Sequence, residues 1–276
     1  MIKSITDCAE LNNGVKMPWL GFGVFLSPPG DTTYRSVRIA LETGYRHIDT
    51  AKIYENEEDV GKAIRDSGIA REEIFVTTKV WNSDMRAGKV QEAFDLSRKK
   101  LGMDVVDLYL VHWPVAEKYL DAYKVLEKLY QEGKVRAIGV SNFLVHHLEA
   151  LLAQVDITPA VDQVEWHPWL QLPELYQYSR EKKIQLEAWG PLIQGQGFKI
   201  PLLSEIGKKY GKTWAQVIIR WDLQREVVTI PKSNTPSRIK ENADVFDFEL
   251  SEEDMAAINA LDQNKRVAAD PDNFDF

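Results

Sequence analysis

The chain of 276 residues is 44% hydrophobic and carries eight tryptophans, enough to bury a large core in one unit. Its 34 Lys and Arg against 42 Asp and Glu leave a formal charge of −8, and no stretch concentrates basic residues enough for a nucleic-acid groove or a membrane surface. One cysteine, Cys8, excludes an internal disulfide, and no run reaches the ~18 uncharged apolar residues of a membrane span, so a soluble cytoplasmic protein with neither nucleic acid nor membrane as partner is expected.

The opening MIKSITDCAELNNG has Asp and Glu where an export signal needs an apolar run. Cys8 lies there in an alternating stretch, with no histidine nearby in sequence, and reads as structural rather than nucleophilic. Alternation over 9–11 and 15–17, joined by Asn12-Asn13-Gly14, predicts a β-hairpin suited to plugging one end of a barrel. From residue 19 onward, short apolar runs alternate with segments of helical period, and the runs give eight candidate strands: 19–22, 47–50, 74–80, 105–111, 135–139, 160–164, 185–189 and 227–230. Between them, spacings such as Ala122, Val125, Leu126 and Leu129 lay an apolar stripe on one helix face. Leu250-Ser251-Glu252-Glu253-Asp254-Met255 reads as the start of a further helix, with Ser251 as N-cap and Leu250 and Met255 as a staple. The predicted fold is α/β: a (β/α)8 TIM barrel with an N-terminal β-hairpin and an extra C-terminal helix, one domain over 1–276. An open doubly wound sheet is the alternative.

Barrel chemistry sits at the C-terminal strand ends. Asp49 falls at the end of the second strand, Lys79 of the third, and His112 just past the fourth. Ser141-Asn142 follow the fifth, Gln163 and Glu165 lie at the sixth, Trp189 at the seventh, and Lys232-Ser233 past the eighth. Singly, each has a plain structural reading: Asp49 and Lys79 as an ion pair, His112 as a core histidine, Tyr54 as a packing aromatic. Together they place polar and aromatic groups on one rim.

The segments HIDTAKIYENEEDVG (47–61), VTTKVW (76–81), LYLVHWP (108–114), AIGVSNF (137–143) and IPKSNTPSRIKEN (230–242) resemble the signature stretches of the aldo-keto reductases, in the same order and nearly end to end. Within that family the chain is most similar to the shorter microbial members, the 2,5-diketo-D-gluconate and methylglyoxal reductases, and to the protozoan prostaglandin F synthases. The resemblance implies an oxidoreductase that reduces aldehydes or ketones, monomeric, with Asp49, Tyr54, Lys79 and His112 as its catalytic set. Tyr54, whose kind has a reference pKa of ~10, is expected as proton donor, made more acidic by Lys79, which Asp49 holds charged. His112 is expected to bond the substrate oxygen.

For the cofactor, Gly21-Phe22-Gly23 lacks the third glycine of a dinucleotide fingerprint, Leu26 standing in its place, so a Rossmann site is not supported. Lys232-Ser233-Asn234-Thr235-Pro236 instead fits a barrel phosphate slot, with Thr235 as N-cap and Pro236 at the first helical position. Lys232 and Arg238 suit a 2′-phosphate, which points to NADPH. By resemblance, Ser141, Asn142 and Gln163 hold the nicotinamide carboxamide and Trp189, where many relatives have tyrosine, lies against the ring. Glu241 and Asn242 face the adenine, and Gly23, Val24, Asp49, Gly190, Leu192 and Gln194 complete the contacts.

Phe25, Trp81 and Trp113, with Tyr54 and His112, are expected to line the pocket for a small carbonyl compound. Short connections after His112 and Trp189 predict a shallow, open site that takes small dicarbonyls, keto-sugars or aromatic aldehydes. A non-catalytic NADPH-binding regulatory protein on the same fold is the alternative, and a damaged catalytic set would mark it. A hydrolase metal centre using His47-x-Asp49 is disfavoured: five histidines include no His-x-His pair, His146-His147 lie in a predicted helix, and no metal is expected.

Overall fold

The computed structural model of the protein describes residues 2–276. Two short strands, β1 (Cys8–Glu10) and β2 (Lys16–Pro18), pair antiparallel. Eight more follow: β3 (Phe22–Gly23), β4 (His47–Asp49), β5 (Phe75–Val80), β6 (Val106–Val111), β7 (Val135–Ser141), β8 (Val161–Glu165), β9 (Gln185–Trp189) and β10 (Val228–Thr229). They run parallel, each beside its neighbour in sequence, from β3 to β10. A parallel bridge between Leu20 and Thr229 closes the ring, where the Gly21 N–H donates to Thr229 O at 2.9 Å and the Thr229 N–H to Trp19 O at 3.0 Å. The closed barrel replaces the doubly wound alternative.

The strand bounds differ from the sequence reading by two residues at most, except at the seam, where β3 starts three residues later than expected and keeps only two residues. Gly21 stands there because a Cβ would lie 2.5 Å from His47 Nδ1; the missing side chain admits an imidazole into the barrel interior. At the other margin β7 runs on to Ser141, so that serine belongs to the strand and not to the loop beyond it.

Helices clothe the ring. The one at Tyr119–Gln131 buries Ala122, Leu126 and Leu129 as the apolar spacing requires, with Val125 only partly buried and Tyr123 buried in addition. The helix Glu252–Asn259 begins where Ser251 Oγ accepts the Asp254 N–H at 3.1 Å, with Leu250 buried behind it.

The hairpin closes the N-terminal end of the barrel. Ala9, Leu11 and Met17 pack with Phe75, Leu108, Leu110, Ala137, Val161 and Val228 in one apolar cluster. The turn is tied down by Asn12 Nδ2 donating to Pro159 O and Asn13 Nδ2 to Arg136 O, both at 2.9 Å. Higher up the same strands, the inward positions turn polar: Asp49, Lys79, Gln163 and Glu187.

Candidate active site

Asp49 ends β4, and Lys79 lies one strand over, two positions beyond Thr77, the residue in register with Asp49. The offset brings Lys79 Nζ to 2.8 Å from both Asp49 carboxylate oxygens and 2.9 Å from Thr50 O, wholly out of solvent. Tyr54 ends a single turn, Lys52–Tyr54, stopped by Glu55 in the left-handed conformation. Its hydroxyl lies 3.5 Å from Lys79 Nζ. Because ammonium only donates, the phenol oxygen accepts and its hydrogen is free to point elsewhere. His112 follows β6, its ring edge-on to Trp81 at 5.1 Å and to Tyr54 at 5.8 Å.

Desolvation opposes the charge on Lys79, but Asp49 and Tyr54 hold its pKa above the usual lysine range. Burial likewise pushes Asp49 up while Lys79 and Gln163 pull it down; three N–H groups on one carboxyl favour the ion pair. Burial pushes Tyr54 up to about 12, with Lys79 drawing it back only in part. This corrects the expectation of an acidified phenol: in the resting site Lys79 tempers the desolvation of Tyr54 and does not overcome it. Burial and then Lys79 hold His112 well below its usual value, so the ring is neutral and presents one N–H.

The nicotinamide residues expected from sequence converge, though their bonds differ in kind. Asn142, held at φ 65°, is engaged by the protein itself: Nδ2 donates to His112 O at 2.9 Å and to Ser141 Oγ at 3.2 Å, and Oδ1 accepts Trp189 Nε1 at 2.9 Å. The last bond gives a reason for tryptophan at position 189, since a tyrosine has no indole N–H to offer. Ser141 Oγ donates to Gln163 O at 2.7 Å, and Gln163 Nε2 to Asp49 Oδ2 at 2.8 Å.

These groups open on a cleft of about 1450 Å³, larger than the ~300–1,000 Å³ of common small-ligand sites and roomy enough for a dinucleotide together with a small substrate. Gly23, Gly190, Leu192, Gln194, Lys232, Ser233, Asn234, Thr235, Arg238, Glu241 and Asn242 all line it. Val24 does not: its side chain is buried, and only its backbone serves the rim, donating to Asp49 O at 3.1 Å and accepting Asn56 Nδ2. Thr235 stands before the helix Pro236–Ala243 as expected, but its side chain makes no capping bond; Ser233 Oγ accepts the Thr235 N–H at 3.1 Å instead. Lys232 Nζ rests on Leu26 O at 3.2 Å, and Ser27 Oγ donates to Asn234 Oδ1 at 2.9 Å, joining the loops after β3 and β10.

Several cleft residues escaped the sequence reading. Thr213 and Trp214 begin the helix Trp214–Gln224, and Thr213 Oγ1 bonds Glu241 Oε1 at 2.8 Å. The signal was there: Thr213-Trp214-Ala215-Gln216 is a capping box, with Gln216 Oε1 accepting the Thr213 N–H at 3.0 Å. The connection after Trp189 is also more than a short link. A 3-10 segment, Ile193–Lys199, with Gln194 and Gly195 at positive φ, brings Gln194, Gly195 and Phe198 onto the cleft wall.

At the substrate end Phe25, Trp81 and Trp113 form the expected walls, but the site is less open than the short loops imply. Phe276 stacks on Trp81 at 5.8 Å and meets Trp113 edge-on at 5.1 Å; Phe274 also packs on Trp113. Asn82 Nδ2 and Arg86 hold the Phe276 oxygen at 3.1 and 2.8 Å. Farther along, His146 and His147 of the helix Val145–Leu152 meet Asp272 at 2.9 and 3.4 Å. His147 Nδ1 accepts the Leu144 N–H, so in the neutral ring its proton sits on Nε2, the nitrogen nearer Asp272.

Residues 20–263 match the model of the Aldo/keto reductase family. A glyoxal reductase of Bacillus subtilis is 54% identical over the whole of both chains, and a 9,11-endoperoxide prostaglandin H2 reductase of Trypanosoma cruzi is 52% identical over 97% of this chain and 96% of its own. Among solved structures, MGS-M4, an aldo-keto reductase enzyme from a Medee basin deep-sea metagenome library, superposes with a TM-score of 0.95 at 50% identity, covering 97% of this chain and 100% of its own. A mutant of Gox0644 in complex with NADPH superposes at 0.93 with 39% identity over 98% of each chain. Barrel, rim and these likenesses agree: the chain belongs to the aldo/keto reductase family.

Proposed function

We propose that this protein reduces aldehydes or ketones to alcohols with NADPH, that Asp49, Tyr54, Lys79 and His112 carry the reaction, and that 1–276 act as one domain. The observation that carries the proposal is the Tyr54 hydroxyl, set 3.5 Å from a buried lysine that Asp49 grips through both oxygens, at the edge of the cleft beside His112.

The cleft suits the cofactor. Lys232, Ser233 and Arg238 gather donors for a 2′-phosphate at one end, the half-buried Trp189 offers a flat face at the other, and Gln163 lines the wall between. When bound, NADPH supplies the hydride. The protein's own share is to bind the carbonyl oxygen and return a proton to it. Neutral His112 donates a hydrogen bond to that oxygen and fixes its orientation. Tyr54 passes its proton to the same oxygen as negative charge builds there, and Lys79 stabilises the phenolate left behind. Asp49 keeps the lysine charged and aimed.

Phe25, Trp81, Trp113 and Phe276 make apolar walls for a small substrate, and the glyoxal-reducing relative supports small dicarbonyls as the first class to test, ahead of keto-sugars and aromatic aldehydes. Among the described residues, five of the seven large exposed hydrophobics, Phe25, Leu26, Ile53, Phe198 and Phe276, lie at this cleft and not on a separate patch, which supports a monomer. The single cysteine, exposed and free, supports a cytoplasmic setting.

The test follows NADPH oxidation with methylglyoxal, a keto-sugar and p-nitrobenzaldehyde. Tyr54→Phe is expected to bind NADPH as before and to lose roughly 10²–10⁴-fold in kcat. Near-normal turnover in that variant removes Tyr54 as proton donor.

A further inference from the structure

Inward positions of a (β/α)8 barrel are ordinarily filled by bulky branched side chains. Beneath the rim of this one sits a second carboxyl, Glu187, in the middle of β9, fully buried and in register with Gln163 of β8. Its Oε2 accepts a hydrogen bond from Gln163 Nε2 at 2.8 Å, while the same nitrogen donates to Asp49 Oδ2 at 2.8 Å. Only the nitrogen of an amide carries hydrogens, so two carboxyl acceptors on one atom fix which way the amide is turned. Both hydrogens are spent inward. Gln163 Oε1 remains for the cleft wall, and among the described residues none donates to it.

We propose that Glu187 is a positioning residue: together with Asp49 it locks Gln163 as a pure acceptor, which takes an N–H of the cofactor carboxamide and discriminates against a pyridine ring whose 3-substituent has none. The inference rests on the NADPH reading above. A reversed amide would set its oxygen against two carboxyl oxygens, leaving Glu187 Oε2 without a donor and Asp49 Oδ2 with Lys79 alone, so two acceptors hold the orientation more firmly than Asp49 alone.

The surroundings allow a second carboxyl here. Four ionisable groups act on Glu187: Asp49 and His47 from β4, Lys79 from β5, and Tyr54 from the turn that follows β4. Burial, and then Asp49, pushes Glu187 up to about 8, and burial draws His47 down to about 3, so near neutral pH both are uncharged. Glu187 Oε1 lies 3.5 Å from His47 Nε2. With its proton on that oxygen, Glu187 keeps Oε2 free to accept from Gln163.

The experiment compares NADP+ with 3-acetylpyridine adenine dinucleotide phosphate, in which an acetyl group replaces the carboxamide, keeping the oxygen and losing the N–H. Both are titrated into the whole protein by tryptophan quenching. The wild type is expected to prefer NADP+ roughly tenfold, the worth of one hydrogen bond. Glu187→Gln keeps an oxygen acceptor toward Gln163 and should retain the preference; Glu187→Leu should bring it below about threefold, with a cooperative thermal transition showing that it is folded. If Glu187→Leu fails to fold, Gln163→Met must lose the preference while Glu187→Gln keeps it. A tenfold preference surviving in folded Glu187→Leu or in Gln163→Met, or absent from the wild type, overturns the proposal. Binding of neither dinucleotide by the wild type is the distinct outcome that removes the cofactor reading itself.

Discussion

The two ends of this barrel are built from the same eight strands and stabilised by opposite means. At the hairpin end Met17 and Ala9 meet Leu108, Leu110 and Val228, and the contact is apolar, without direction and tolerant of similar shapes. Toward the open end, β4, β5, β8 and β9 present Asp49, Lys79, Gln163 and Glu187, each wholly or almost wholly buried. There, stability depends on every donor finding its acceptor, because a buried charge without a partner costs more than the pair ever contributes. The difference shows where the protein accepts strain: the plugged end supplies hydrophobic stability, and the open end uses some of it to hold a lysine, two carboxyls and a phenol in register.

The sharpest way to break this contrast is Lys79→Met. It strands the Asp49 carboxylate in the interior and is expected to cost about 3–5 kcal/mol in urea unfolding, along with activity; wild-type stability would show that the open end does not depend on the pair. Met17→Ala is the mirror experiment. It should cost about 2–5 kcal/mol by the same measurement and leave kcat/KM unchanged, and a fall in catalysis would mean that the ends are coupled. Arg238→Ala carries the comparison out to the exposed side of the cleft. There the loss should be roughly tenfold in NADPH affinity with NADH unaffected, and equal losses for both dinucleotides would remove the 2′-phosphate assignment.

The smallest effect expected is one of pH. Glu187, with its folded pKa at about 8 against an ordinary 4.5, keeps a proton that the unfolded chain has lost, so its contribution to stability declines as pH rises through about 8. His47, lowered to about 3, acts in the opposite sense but only below about 6.5. Thermal unfolding between pH 6.5 and 8.5 should therefore decline less steeply in Glu187→Gln than in the wild type. An unchanged slope would mean that Glu187 is ionised throughout.

What the sequence made legible is what local chemistry encodes. Strand periodicity located Lys79 and Asp49, and the segment 230–242 announced a phosphate slot through its Lys, Ser and Pro spacing. The parts it hid depend on contacts between distant positions. Phe276 reaches Trp81 across most of the chain, and nothing near either residue foretells it. Glu187 carries no signal in its own stretch of sequence; β8 and β9 set it beside Gln163. Strand-end placement and the resemblance were enough to propose the tetrad, but the rise of Tyr54 to about 12 depends on how deeply the fold buries it.

Asn142 joins parts that the chain keeps far apart. Its side chain ties the Trp189 indole to the backbone oxygen of His112, so indole and imidazole share a single fixed reference point. A tilt of the indole is passed through one amide to the strand end that carries His112. In the proposed reaction the nicotinamide ring and the carbonyl group it reduces are thereby placed from the same asparagine, a side chain that itself takes no part in the chemistry.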